Sequence, residues 1–90
     1  MTVTRDLNII NKRGLHARAS AKFVHTVEAF DADVHVTKDG ITVGGLSIMG
    51  LMMLAASTGS SITVSASGHQ ETEALDALDA LVKDRFGEEM

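Results

Sequence analysis

The chain has 90 residues, 44% of them hydrophobic and 22% charged, with a formal net charge of −4. That length suffices for one hydrophobic core, so a single domain over 1–90 with no deep substrate cavity is expected. Three Phe are the only aromatics, no Lys/Arg-rich block stands out and Cys is absent. These totals exclude a basic, base-stacking nucleic-acid surface, a disulfide framework, a thiolate zinc site and a thiol nucleophile. The opening Met1-Thr2-Val3-Thr4-Arg5-Asp6 lacks signal-peptide character, and the longest apolar run, Ile48 to Ala56, falls far short of the ~20 residues that span a bilayer. A soluble cytoplasmic protein without a membrane segment is expected.

Val3, Leu7 and Ile9 alternate with polar neighbours and predict a half-buried strand over 3–9, with Arg5 the one break in the pattern. Residues 10–15 form a loop in which Gly14 can take the positive φ of a sharp turn. A helix follows from about Ala17 to Ala29, with Phe23, Val24, Val27 and Phe30 as its buried stripe. Val34 and Val36 define a second strand, Asp39-Gly40 signals a two-residue hairpin, and Ile41 and Val43 lie on the return strand. After Gly44-Gly45, Ser47 reads as the N-cap of a short helix over about 48–55. Ile62, Val64 and Ala66 alternate as a fourth strand that Gly68 ends. Glu71 and Glu73 favour the start of a last helix, lined on one face by Leu75, Leu78, Val82 and Phe86. The order β-α-β-β-α-β-α predicts an α+β fold, one antiparallel or mixed sheet with helices on one face.

Chemistry concentrates in Gly14-Leu15-His16-Ala17-Arg18-Ala19-Ser20, which sets a histidine where a loop meets a helix start. Free backbone N–H groups and the positive end of the helix dipole make an anion site there. A neutral imidazole is nucleophilic near neutral pH and can accept a phosphoryl group on a ring nitrogen. The N–H groups of Ala17 and Arg18 and the Arg18 guanidinium would stabilise the product. Alternatively, His16 is only a polar helix cap.

Gly14-Leu15-His16-Ala17-Arg18 resembles the G-L-H-A-R-P-A signature of the HPr phosphocarriers of the bacterial phosphotransferase system. Ser47-Ile48-Met49-Gly50 matches that family's S-I-M-G segment at the expected separation, and the element order agrees over nearly the whole chain. The resemblance implies an open-faced sandwich, a four-stranded antiparallel sheet with three helices on one face. It also implies His16 as phosphoacceptor through Nδ1 and Arg18 as its phosphate-contacting partner. Enzyme I, charged from phosphoenolpyruvate, would be the donor and an enzyme IIA domain the acceptor. Such a protein carries a stoichiometric phosphohistidine and is not a stand-alone catalyst; no cofactor and no metal are expected, and a monomer is. One departure is Ala19, where the family has Pro; it removes a fixed φ from the first helical turn and bears on rigidity, not chemistry.

Ser47 has two compatible readings, a cap and, by resemblance, the regulatory serine phosphorylated by HPr kinase/phosphorylase. On a helix over 48–55, Leu51, Leu54 and Ala55 fall on one side and Ile48, Met49, Met52 and Met53 on the other. If the leucines are core, an apolar Met-rich patch faces out as a partner surface. His25, His35 and His69 read as surface residues without metal-ligand spacing, Arg13 as solvated, and Glu71, Glu73, Asp76, Asp79 and Asp84 as the wet face of the last helix. A sugar-uptake and a nitrogen-type phosphotransfer chain use the same carrier chemistry. An interaction-only HPr relative acting through phosphorylated Ser47, and a generic α+β ligand-binding domain, are the competing functions.

Overall fold

A computed structural model of the chain describes residues 1–89. Its elements follow the expected order: β1 (Thr2–Asn8), α1 (Ala17–Glu28), β2 (Asp33–Lys38), β3 (Ile41–Gly44), α2 (Ile48–Met53), β4 (Ser61–Ser67) and α3 (Glu71–Lys83). The strands lie in the order β1-β4-β2-β3, and every neighbouring pair is antiparallel. Strand alternation puts Leu7, Val34, Val36, Ile62, Val64 and Ala66 on one face, all buried, and the helices supply Phe23, Val27, Leu51, Ala74, Leu75, Leu78 and Val82 against them. The fold is an α+β open-faced sandwich. Among the described residues, no helix is long and apolar enough to cross a membrane.

Local chemistry explains the connections. Asp39 and Gly40 both take left-handed φ, 51° and 80°, between the paired residues Lys38 and Ile41, which is the backbone a two-residue hairpin requires. Arg5 interrupts the alternation of β1 because it points to the helix side beside Val64's row and meets α3. Its guanidinium lies 3.0 Å from Asp76 and 3.1 Å from Asp79. The Asp76 bond, with Asp79 behind it, raises the Arg5 pKa further. Asp79 is therefore not part of a uniformly wet face; its carboxylate is held by Arg5 and, at 3.3 Å, by Lys83.

Three boundaries depart from expectation. Helix α1 ends at Glu28, with Phe23 and Val27 buried, Val24 and Phe30 half-buried, and Ala19 and Ser20 added to its buried face. Helix α2 stops at Met53, so Ala55 does not share a face with Leu51 and Leu54. It turns outward at φ 52°, and Ala56 is buried instead. Helix α3 stops at Lys83, and Phe86 is not on its face. Arg85, Phe86 and Gly87 take φ of 55°, 54° and 76°, a reversal that drops Phe86 into the core. Two non-glycine residues in that region cost about 1–2 kcal/mol each. Burying a phenylalanine returns about 1.5–3 kcal/mol, and a hydrogen bond from a charged donor adds about 1.5–3. Lys22 Nζ supplies that bond, donating to the Phe86 carbonyl at 2.6 Å.

Candidate functional site

The loop before α1 is set by a tight turn, in which the Gly14 amide donates to the Asn11 carbonyl at 3.2 Å. Gly14 has φ +66°, and a Cβ there would lie 2.4 Å from the Ala56 carbonyl oxygen, so the position needs glycine on two grounds. Leu15 is buried and its amide donates to the same Ala56 carbonyl at 2.9 Å. Beneath the turn, Ser20 Oγ donates to the Leu15 carbonyl at 3.2 Å.

His16 is the N-cap residue of α1, with an extended backbone, and its carbonyl accepts the Ser20 amide at 2.8 Å. Its side chain makes no capping hydrogen bond. The reading of His16 as a polar cap therefore fails: the position is a cap, but the ring is used elsewhere. Imidazole Nε2 meets Glu88 Oε2, and since an ionised carboxylate only accepts, Nε2 is the donor. In the neutral ring the lone pair then sits on Nδ1.

Glu88 is the site residue that sequence reasoning missed. Its other oxygen accepts from Asn11 Nδ2 at 2.9 Å, and the second proton of that amide goes to the Gly14 carbonyl, also at 2.9 Å. Both partners of Nδ2 are acceptors, which fixes the orientation of the Asn11 amide. The Asn11 bond, then the His16 ring, then the charge of Arg13 hold the Glu88 carboxyl below the usual carboxylate range, against the opposing effect of burial.

Ala17 and Arg18 open the first turn of α1, and their N–H groups have no acceptor within the helix. The Arg18 side chain is exposed, without an ion pair among the described residues, and shares a shallow cleft with Lys12, Arg13, Glu88 and Glu89. His16 lines an adjoining hollow with Leu15, Ala55, Ala56 and Ser57, and Arg13 borders both. Arg13 is thus the cation that shares a hollow with His16, while Lys12 and Arg18 line the neighbouring cleft and Arg18 makes no direct bond to the ring.

Ser47 caps α2, its Oγ accepting the Gly50 amide at 2.9 Å. With Leu51 and Leu54 buried, Ile48 and Met52 are about two-fifths exposed and Met49 and Met53 are 71% and 75% exposed. Leu46, 62% exposed, extends that apolar surface and was not foreseen. His25, His35 and His69 are exposed, and among the described residues no group of three His, Asp or Glu could hold a metal ion.

Residues 3–84 match the family described as "PTS HPr component phosphorylation site". The phosphocarrier protein HPr of Cupriavidus necator is 52% identical over 84 residues, covering 93% of this chain and 94% of that protein. A crystal structure of HPr from Thermoanaerobacter tengcongensis superposes with a TM-score of 0.93 at 43% identity, covering 98% of this chain and 99% of that one. A structure of an HPr dimer from the same organism gives 0.77 at 45% identity, over 91% and 94% of the two chains. Full-length coverage at this identity leaves no room for a generic ligand-binding domain: the chain belongs to the HPr family, the phosphocarriers of the phosphotransferase system.

Proposed function

We propose that His16 accepts a phosphoryl group on Nδ1 from phospho-enzyme I and passes it to an enzyme IIA protein, in sugar uptake, as a cytoplasmic monomer. The observation that carries this reading is the placement of the ring: at the N-cap of α1, spared from capping, 23% exposed and with Arg13 lining the same hollow. In the forward step the Nδ1 lone pair forms the N–P bond as the donor's bond to phosphorus breaks and its electron pair stays with enzyme I. The amides of Ala17 and Arg18, the helix dipole and the Arg18 guanidinium offset the phosphoryl charge. In the second step the acceptor attacks phosphorus and the N–P pair returns to Nδ1. No cofactor or metal enters either step. The exposed side chains of Ile48, Met49, Met52 and Met53 form the apolar ground on which both partners dock.

The test is incubation with enzyme I and phosphoenolpyruvate followed by intact-mass measurement. A gain of one acid-labile phosphoryl group supports the reading, and no gain with active enzyme I overturns it. A nitrogen-type chain uses the same chemistry, and pull-down of the cognate enzyme IIA separates the two pathways.

A second reading concerns regulation through Ser47. Its exposed Oγ, at the end of α2 that adjoins Leu46, Ile48 and Met49, favours it as a substrate for HPr kinase/phosphorylase. A phosphate there adds about −1.5 to −2 of charge beside the docking surface. An interaction-only regulator would use Ser47 in this way and leave His16 unlabelled.

A further inference from the structure

We infer that Glu88 is a positioning residue for His16: it holds the ring in the Nε2–H tautomer, leaves the Nδ1 lone pair facing out, and balances the positive ring once Nδ1 is phosphorylated. This rests on the reading of His16 as the phosphoacceptor.

The geometry is specific on both sides. Glu88 uses one carboxylate oxygen for His16 Nε2 and the other for Asn11 Nδ2, and Asn11 is itself tied to the Gly14 carbonyl of the loop that presents His16. The carboxylate is therefore braced before it reaches the imidazole, with only 17% of its side chain exposed. The brace begins further back. The left-handed run Arg85–Gly87 buries Phe86, Lys22 of α1 clamps the Phe86 carbonyl at 2.6 Å, and the chain leaves that anchor aimed at the start of the same helix. Phe86 has no role in the chemistry, yet without its burial Glu88 has no fixed position.

The consequence for phosphotransfer follows from proton accounting. With Nε2 protonated and Nδ1 unprotonated, the ring attacks phosphorus through Nδ1 and loses no proton, so no general base is needed. Forming the N–P bond places positive charge on the ring, which the Glu88 carboxylate meets at Nε2. When the phosphoryl group leaves, the bonding pair returns to Nδ1 and the neutral Nε2–H ring is restored. One fixed proton serves both directions, which suits a carrier that must accept and donate with equal facility.

The test compares wild type with Glu88→Gln and Glu88→Ala. Gln keeps the shape but offers one oxygen for two donors; Ala removes both acceptors. Ring ¹⁵N NMR of unphosphorylated His16, at a pH where the ring is neutral, should show Nε2–H alone in wild type and a growing share of the Nδ1–H form in both variants. In a steady-state assay with phospho-enzyme I, kcat should fall roughly tenfold, the lower end of what losing a histidine's orienting carboxylate costs at metal centres. KM should hold, because the docking surface on α2 is untouched. Wild type that never labels overturns the carrier reading. Wild type that labels on His16, with both variants unchanged in tautomer and in kcat, overturns the role of Glu88 alone.

Discussion

The Leu15 amide donates to the Ala56 carbonyl at 2.9 Å, tying the loop that carries His16 to the segment that follows α2. The loop that presents His16 is therefore joined directly to the segment that leaves α2. Gly14 makes the approach possible, since a Cβ there would stand 2.4 Å from that carbonyl. Gly14→Ala should destabilise the protein by about 2–5 kcal/mol, the sum of a left-handed alanine and a local overpacking. A urea melt measures it, and a loss below about 0.5 kcal/mol, the range of neutral surface changes, would show that the two segments are not in contact.

Ala19, where the family has proline, is fully buried in the first turn of α1, where its N–H has no helical partner. Ala19→Pro should stabilise by about 0.4–1 kcal/mol by narrowing the unfolded ensemble. A destabilisation of similar size in the same melt would mean that the turn cannot admit the ring.

Met49 and Met53 are about three-quarters exposed. Met49→Glu or Met53→Glu should leave the melting temperature nearly unchanged and weaken binding to enzyme I at least several-fold, read by titration calorimetry. A large fall in melting temperature would place these side chains in the core, and unchanged affinity would move the docking surface elsewhere. Ser47→Asp should weaken the same binding by setting negative charge against the patch.

Much of this was legible in sequence because the signals were local. Alternation marked the four strands, Asp39-Gly40 marked the hairpin, Ser47 marked a cap, and helical spacing separated Leu51 and Leu54 from the Met-rich side of α2, leaving the structure to show that the leucines are the buried side. What failed was non-local. Phe86 continued the helical spacing of Leu75, Leu78 and Val82, and nothing in that spacing reports that the chain reverses at Arg85. Glu88 lies 72 residues from His16, and its role depends on that reversal. Arg5 did leave a trace as a charge on an apolar face; its partners Asp76 and Asp79 stood at helical spacing in a stretch that read as solvent surface. Leu46 escaped because it sits in a turn outside any periodic segment.

The Glu88 carboxyl is held below its ordinary value near 4.5, first by Asn11 and then by His16 and Arg13. Because the folded value is the lower one, this group contributes stability above the unfolded value. That contribution is lost as pH falls from about 4.5 through the folded value. Lys12, Arg13, Arg18 and Glu89 line the same cleft. A ¹³C titration of the Glu88 carboxyl should give a midpoint below that of an ordinary glutamate, and Asn11→Ala should move it up. A wild-type midpoint at or above the ordinary value would show that the Asn11 bond is absent in solution.

Site mapping tests most directly whether one histidine, His16, carries the phosphoryl group. After labelling with enzyme I and phosphoenolpyruvate, wild type and His16→Ala are digested and their peptides compared by mass spectrometry under alkaline conditions that preserve phosphohistidine. The phosphate should reside on the peptide containing His16, disappear on brief acid treatment, and be absent from a His16→Ala protein whose melting temperature is close to that of wild type. Phosphate on a peptide bearing His25, His35 or His69, or labelling that persists in folded His16→Ala, would contradict the account.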